Sequence, residues 1–201
     1  VRRLAMAAKY RDDQTGTHIR RVGRYSYLLA EAVGLDSPTC QQILQASQLH
    51  DIGKIGIPDS ILLKPGKLDA EEWIVMKSHA LLGSRILAGG SDPMLRMAEQ
   101  IALTHHERWD GGGYPHGLCG EDIPLVGRIV CICDVFDALT SERPYKKAWT
   151  IQEAIREIRA NSATQFDPVL VDKFTRILGS LAKVREELGL AAAGELAMVQ
   201  T

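Results

Sequence analysis

An all-α helical bundle in a single domain is the fold this sequence predicts, and three observations lead to it. Apolar residues recur at spacings of three and four through most of the 201-residue chain, the pattern of helices with one buried face. No alternating apolar–polar stretch is long enough to make a credible strand. Gly and Pro collect in two segments, residues 51–66 and 110–124, so irregular backbone is expected there, between helices.

The elements follow in order. Leu4 to Arg11 is Ala-rich and reads as a helix continuing from upstream. Asp13 or Thr15 caps a second helix through Ile19, Val22 and Leu29 to about Val33, with Gly34 at its C-terminal end. Ser37-Pro38 opens a third, carrying Ile43, Leu44 and Leu49 toward His50. Asp51 to Gly66 reads as loop. Leu68-Asp69 starts a long helix to about Leu87, and Pro93 to Thr104 makes another. Ile129 to Leu139 is an apolar helix, followed by a basic turn from Arg143 to Lys147. Three shorter helical patterns close the chain, and Ala191 to Thr201 is weakly specified.

Composition removes several functions. With 24 basic and 25 acidic residues the formal charge is −1, which argues against a duplex-nucleic-acid binder or a polybasic membrane anchor. No apolar run approaches the roughly 18–20 residues of a membrane span, and the residues after Val1 do not lead one to expect a secretory leader. The four cysteines do not make a disulfide framework: Cys40 and Cys119 lie far apart, and Cys131 and Cys133 are spaced C-x-C. A reducing cytoplasm suits them. Cys131 and Cys133 are expected in the core, and Trp73, Trp109 and Trp149 are expected as packing anchors, with Trp109 a lesser candidate for base stacking.

The chemistry lies with the histidines. Of the six, His18, His50, His79, His105 and His106 fall in or at the ends of predicted helices beside apolar residues, whereas His116 sits in the glycine-rich loop and is expected to be exposed. A lone histidine of this kind is most often a hydrogen-bonded core imidazole. Five together, with His50-Asp51 and His105-His106 adjacent, are harder to explain that way, because each buried polar group needs its own partner. Asp134 and Asp137 share a face with Val130 in the most apolar helix, which carries no Lys or Arg after Arg128. Asp137 is left between orienting Lys54 and pairing with Arg128. A stripe of Met76, His79, Gly83 and Ile86 turns His79 inward. Imidazoles and carboxylates converging inside a helical bundle point to a metal centre.

The residues also carry a resemblance. Thr15-Gly16-x-His18-x-x-Arg21, His50-Asp51-Ile52-Gly53-Lys54, His79, His105-His106-Glu107-x-x-Asp110-Gly111-x-Gly113-Tyr114-Pro115, Asp134-Val135-Phe136-Asp137 and Arg143-Pro144-Tyr145-Lys146 stand in this order. The string resembles the HD-GYP subgroup of the HD metal-dependent phosphohydrolases over roughly residues 4–175. A bare His-Asp dipeptide means little; the ordered set is specific. The resemblance implies a catalytic domain over residues 13–180, a linker helix over 1–12 from an upstream receiver or sensor domain, and a helical tail over 181–201. It implies a bacterial phosphodiesterase that opens the second messenger cyclic di-GMP to linear pGpG, with onward hydrolysis to GMP left open.

The family's ligands carry over onto His18, His50, Asp51, His79, His105, His106 and Asp134. Its phosphate-binding positions correspond to Lys54, Arg143 and Lys146, and its loop beside the substrate to Asp110, Gly113, Tyr114 and Pro115. Tyr114-Pro115 is expected mainly to shape the rim, and GGDEF-domain proteins and a second copy of the chain are expected partners. Relatives with three metals carry Glu where this chain has Gln14, so two divalent ions are expected. Iron comes first, manganese next, with nickel and zinc as alternatives. Two ions about 3.5–4 Å apart lower the pKa of water and polarise a phosphate oxygen. Asp51 bridges them, with His18, His50 and Asp134 on one ion and His79, His105 and His106 on the other. Asp51, His50 and Lys54 form the reacting centre, and Lys54 stabilises or protonates the leaving 3′ oxygen. The rival functions are a cyclic dinucleotide receptor that does not hydrolyse and a phosphodiesterase for a cyclic GMP–AMP hybrid.

Overall fold

The computed structural model describes residues 16–142 and 147–199, with side chains to residue 189. The linker helix expected over residues 1–12, the caps Asp13 and Thr15, Gln14, Arg143 and Lys146 lie outside the described residues.

Ten α-helices and short 3-10 turns make up the described chain, and no strand occurs among them. Helix α1 spans Gly16–Ala32 and buries Val22, Tyr25, Leu29 and Ala30, one stripe at spacings of three and four. Gly34 ends it with φ at 92°, a left-handed conformation that glycine adopts at little cost. Helix α2, Ser37–Ala46, starts where the Asp36 carboxylate accepts the Thr39 amide at 2.8 Å and Pro38 takes a position that needs no N–H partner. Such a cap stabilises a helix by about 1 kcal/mol. A 3-10 turn, Ser47–Leu49, carries the chain to His50.

The segment expected as plain loop after Asp51 is partly helical. It holds a 3-10 turn, Ile52–Gly56, and a short helix α3, Asp59–Leu62. The long helix expected from Leu68 to Leu87 is two helices, α4 (Ala70–Lys77) and α5 (His79–Leu87), parted at Ser78. Close packing explains the separation. Helix α5 lies so near the Ile52–Gly56 turn that a Cβ on Gly53 would collide with the His79 carbonyl and the Gly83 backbone. The break also revises the predicted stripe: His79 and Gly83 are buried, but Ile86 is 47% exposed. Helix α4 buries none of its residues, and Trp73, expected as a packing anchor, stands 48% exposed.

Helix α6 runs Pro93–Thr104 as expected, capped by Asp92. Helix α7 is Leu125–Thr140, longer at both ends than its apolar stretch suggests. Helices α8 (Ile151–Ala160), α9 (Pro168–Arg176) and α10 (Leu178–Val199) follow. The last is not short: it is helical through the weakly specified residues to Val199, and Leu181 and Val184 enter the core. The core lies between α1 and α7, where Tyr25 and Phe174 both meet Phe136 edge-on, with ring centroids 5.5 and 5.2 Å away. Cys131 and Cys133 are buried there as expected, and His116 is exposed.

Candidate metal centre

Each helix contributes through a simple local device. His18 lies one turn before Val22 on the inward face of α1; His50 and Asp51 fall between two 3-10 turns; His79 is the first residue of α5; His105 and His106 follow the last turn of α6; Asp134 lies in the middle of α7. Chain segments 116 residues apart in sequence thus end side by side, because α7 packs against both α1 and α6, and the Ile52–Gly56 turn packs against α5.

The predicted ligands meet. One oxygen or nitrogen from each of Asp51, His79, His105 and His106 lies within 4.8 Å of the others, and His18, His50 and Asp134 form a second group of the same compactness. Asp51 touches both groups. Its Oδ2 lies 3.3 Å from His50 Nε2, while Oδ1 lies 3.4 Å from His79 Nε2 and 3.7 Å from His105 Nε2. Asp134 Oδ1 lies 3.4 Å from His18 Nε2 and 3.8 Å from His50 Nε2.

The hydrogen bonds behind the rings show which nitrogen is offered. His50 Nδ1 faces the Ser47 carbonyl at 2.8 Å, His79 Nδ1 that of Met76 at 2.7 Å, and His105 Nδ1 that of Ile101 at 3.0 Å. His18 Nδ1 faces the Asp137 carboxylate at 2.8 Å. A carbonyl or carboxylate accepts, so each Nδ1 carries the proton and each Nε2 presents a lone pair. The Nε2 atoms of His18, His50, His79 and His105 are all buried, with no hydrogen-bond partner among the described residues. One unsatisfied buried nitrogen costs about 1–3 kcal/mol. Four lone pairs facing two carboxylates are the donor set a divalent cation fits.

Charge leads to the same place. Burial opposes the charged form of His50, yet Asp51 and Asp134 hold its pKa up at about 9. Without an ion the two carboxylates therefore draw a proton onto His50 Nε2, at the lone pair a cation would otherwise take. Burial pushes His79 down to about 4 and His106 well below the usual histidine range, which keeps those rings neutral ligands at pH 7. Burial alone would raise the Asp51 carboxyl, but Lys54 and His50 carry it well below the carboxylate norm. Lys54 Nζ sits 2.7 Å from Asp51 Oδ2, one turn further along.

Asp137 does neither of the things considered for it. Fully buried, it accepts from Arg21 Nε and a guanidinium NH2 at 2.6 and 2.8 Å, while Arg128 pairs with Asp167 at 2.7 Å. Burial would raise the Asp137 carboxyl, but the Arg21 and His18 hydrogen bonds hold it at about 2. A carboxylate behind an imidazole makes it a stronger donor, so Asp137 serves His18. Two signals for this pairing stand in the sequence: His18 and Arg21 are three apart on one helix, and Asp134 and Asp137 three apart on another.

The glycine-rich loop closes over the His106 side. Tyr114 stacks on the His106 ring with centroids 4.7 Å apart and planes at 23°. Asp110 is exposed and tied within the loop, to Arg108 at 2.7 Å and to the Gly112 amide at 2.9 Å. Gly113 lies against the backbone of residues 106–108 with no room for a Cβ, and a cis peptide joins Tyr114 to Pro115. Glu107, which sequence reasoning gave no role, is 2% exposed and accepts the His116 and Leu118 amides at 2.8 and 3.1 Å.

Known proteins are similar to this chain. The HD domain family model matches residues 2–170. A cyclic di-GMP phosphodiesterase of Thermotoga maritima is 48% identical over 174 residues, covering 87% of this chain and 47% of that protein. The 3′3′-cGAMP-specific phosphodiesterase 2 of Vibrio cholerae is 46% identical over 188 residues, covering 90% and 36% respectively. The chain thus spans half or less of the length of these relatives. Among solved structures, a cyclic GMP-AMP specific phosphodiesterase of Vibrio cholerae, V-cGAP3, superposes with a TM-score of 0.68 at 20% identity, over 97% of this chain and 52% of that one. With the histidines and aspartates of the ordered motifs meeting beside the Gly-Tyr-Pro loop, and the family model matching most of its length, the chain belongs to the HD domain family.

Proposed function

We propose that this domain is a metal-dependent phosphodiesterase acting on cyclic di-GMP. The observation that carries the reading is the set of four buried Nε2 atoms around Asp51 and Asp134 that have no hydrogen-bond partner among the described residues. His18, His50 and Asp134 would hold one divalent ion and His79, His105 and His106 a second, with Asp51 shared. When bound, such ions lower the pKa of water and polarise a phosphoryl oxygen. The imidazole–carboxylate mixture suits iron, manganese, nickel or zinc, and we take iron first and manganese next. Gln14 in place of a carboxylate argues against a third ion.

The protein's own groups supply the rest. Asp51 and Asp134 offset two of the four positive charges of the ion pair, leaving a site suited to a dianionic dinucleotide. Water oxygen joins phosphorus, the P–O3′ bond breaks, and O3′ takes up a proton as it leaves. Lys54, held at 2.7 Å by Asp51, would stabilise that oxygen or protonate it. Arg143 and Lys146 would add phosphate contacts, and Asp110, Gly113, Tyr114 and Pro115 would border the substrate. The wider reading is cytoplasmic two-component signalling, with an upstream receiver or sensor domain, GGDEF-domain proteins and a second copy of this chain as partners.

The identity to a cGAMP-specific relative keeps a cyclic GMP–AMP hybrid as a second substrate reading. Anion-exchange analysis after incubating iron- or manganese-loaded protein with each dinucleotide tests both. Conversion of cyclic di-GMP to pGpG, lost in Asp51→Ala, is expected. Dinucleotide bound but unchanged would show a receptor, and preferential turnover of the hybrid would reassign the substrate.

A further inference from the structure

Four of the five imidazoles in the cluster have a hydrogen-bond acceptor behind Nδ1, and His106 does not. Among the described residues neither of its ring nitrogens is bonded to another protein group, although the ring is mostly buried. A ligand ring without such a bond is free to turn about its Cβ–Cγ axis unless packing stops it, and ring orientation governs how well a lone pair meets a metal. Packing does stop it. His105 lies 4.0 Å away at 43°, His79 stands edge-on at 4.9 Å, and Tyr114 covers one face at 4.7 Å and 23°.

Tyr114 can do this only if its loop is held down. The Tyr114 amide donates to the His106 carbonyl at 3.2 Å. Glu107, next to the ligand itself, accepts the His116 and Leu118 amides beyond the tyrosine. A buried carboxylate receiving two backbone N–H groups is a strong, charge-assisted tether. It fastens the far side of the loop to the same short segment that carries His105 and His106.

We propose that Tyr114 and Glu107 are positioning residues for the metal centre: the stacked tyrosine takes the place of the acceptor that His106 lacks, and Glu107 clamps the loop that delivers it. The loop is then part of the ion site on the His79, His105 and His106 side, beyond its role at the substrate's edge. The inference rests on the two-ion reading and deepens it.

Calorimetric titration of metal-free protein with Mn²⁺ alone, with metal per chain measured by mass spectrometry, tests it without reference to turnover. The parent is expected to take up two ions, one step being lost in His79→Ala. Tyr114→Ala should weaken that same step about 10–100-fold, the usual consequence of removing a group that orients a ligand. Tyr114→Phe, which keeps the aromatic face, should restore it. Glu107→Gln turns one acceptor into a donor and should shift the step in the same direction. If Tyr114→Ala fails to fold by circular dichroism, Tyr114→Leu carries the same expectation. Parent-like affinities in Tyr114→Ala, or a loss in Tyr114→Phe as large as in Tyr114→Ala, would overturn the proposal while leaving the two-ion centre standing. A parent that binds no second ion would refute the two-ion reading and this inference with it.

Discussion

Replacing Arg21 with alanine isolates the ion pair that joins α1 to α7. Asp137 is fully buried and bound by Arg21 through two bonds of 2.6 and 2.8 Å. Removing the guanidinium leaves the carboxylate, among the described residues, with His18 and Ser141 at 2.8 and 3.2 Å. Breaking one side of a buried pair costs about 3–5 kcal/mol. For a chain of this size each kcal/mol lowers the melting temperature by about 2–4 °C, so the fall should be about 6–20 °C.

Two controls sharpen the test, all read by circular dichroism melting at pH 7. Arg176 pairs with Asp172 on the surface, where the side chains are 70% and 53% exposed. Arg176→Ala should therefore change stability by less than about 1 kcal/mol. Adding Asp137→Asn to Arg21→Ala removes the stranded charge and should recover much of the loss, since a neutral amide still accepts from His18. An Arg21→Ala protein melting within about 2 °C of the parent would refute the reasoning. So would a double variant in which the two losses simply add.

Other consequences follow from the same coordinates. Metal at one hundred times its dissociation constant should stabilise the protein by about 2.7 kcal/mol, visible as a melting temperature that falls when a chelator is added; an unchanged temperature would count against metal binding by the folded state. Gly53→Ala should cost about 3 kcal/mol in urea unfolding, at the top of the overpacking range, because the Cβ meets the His79 carbonyl and the Gly83 backbone rather than a movable side chain. A thiol reagent at pH 8 should find Cys119 rapidly and the buried Cys40, Cys131 and Cys133 only after denaturation; burial pushes the Cys131 thiol up to about 12, away from its reactive form. Trp73→Ser should leave stability within about 0.5 kcal/mol, since the indole is half exposed.

Residue chemistry and short-range spacing settled a good deal without coordinates. The helical spacing of Ile19, Val22 and Leu29 is written within one helix, as is the opening of α6 at Pro93. The ligand types were legible too: His50-Asp51 and His105-His106 are adjacent, and polar groups on apolar faces need partners. Three things were decided only by how the helices pack. The Arg21–Asp137 pair spans 116 residues, a distance at which local spacing says nothing about who meets whom. The break at Ser78 exists because α5 must lie against Gly53, whereas residues 68–87 by themselves read as one continuous helix. Glu107 reads as one more charged residue until the loop folds back and gives its carboxylate two amides. A helix is specified by neighbours one turn apart, but a buried charge is specified by whatever the tertiary structure brings to it.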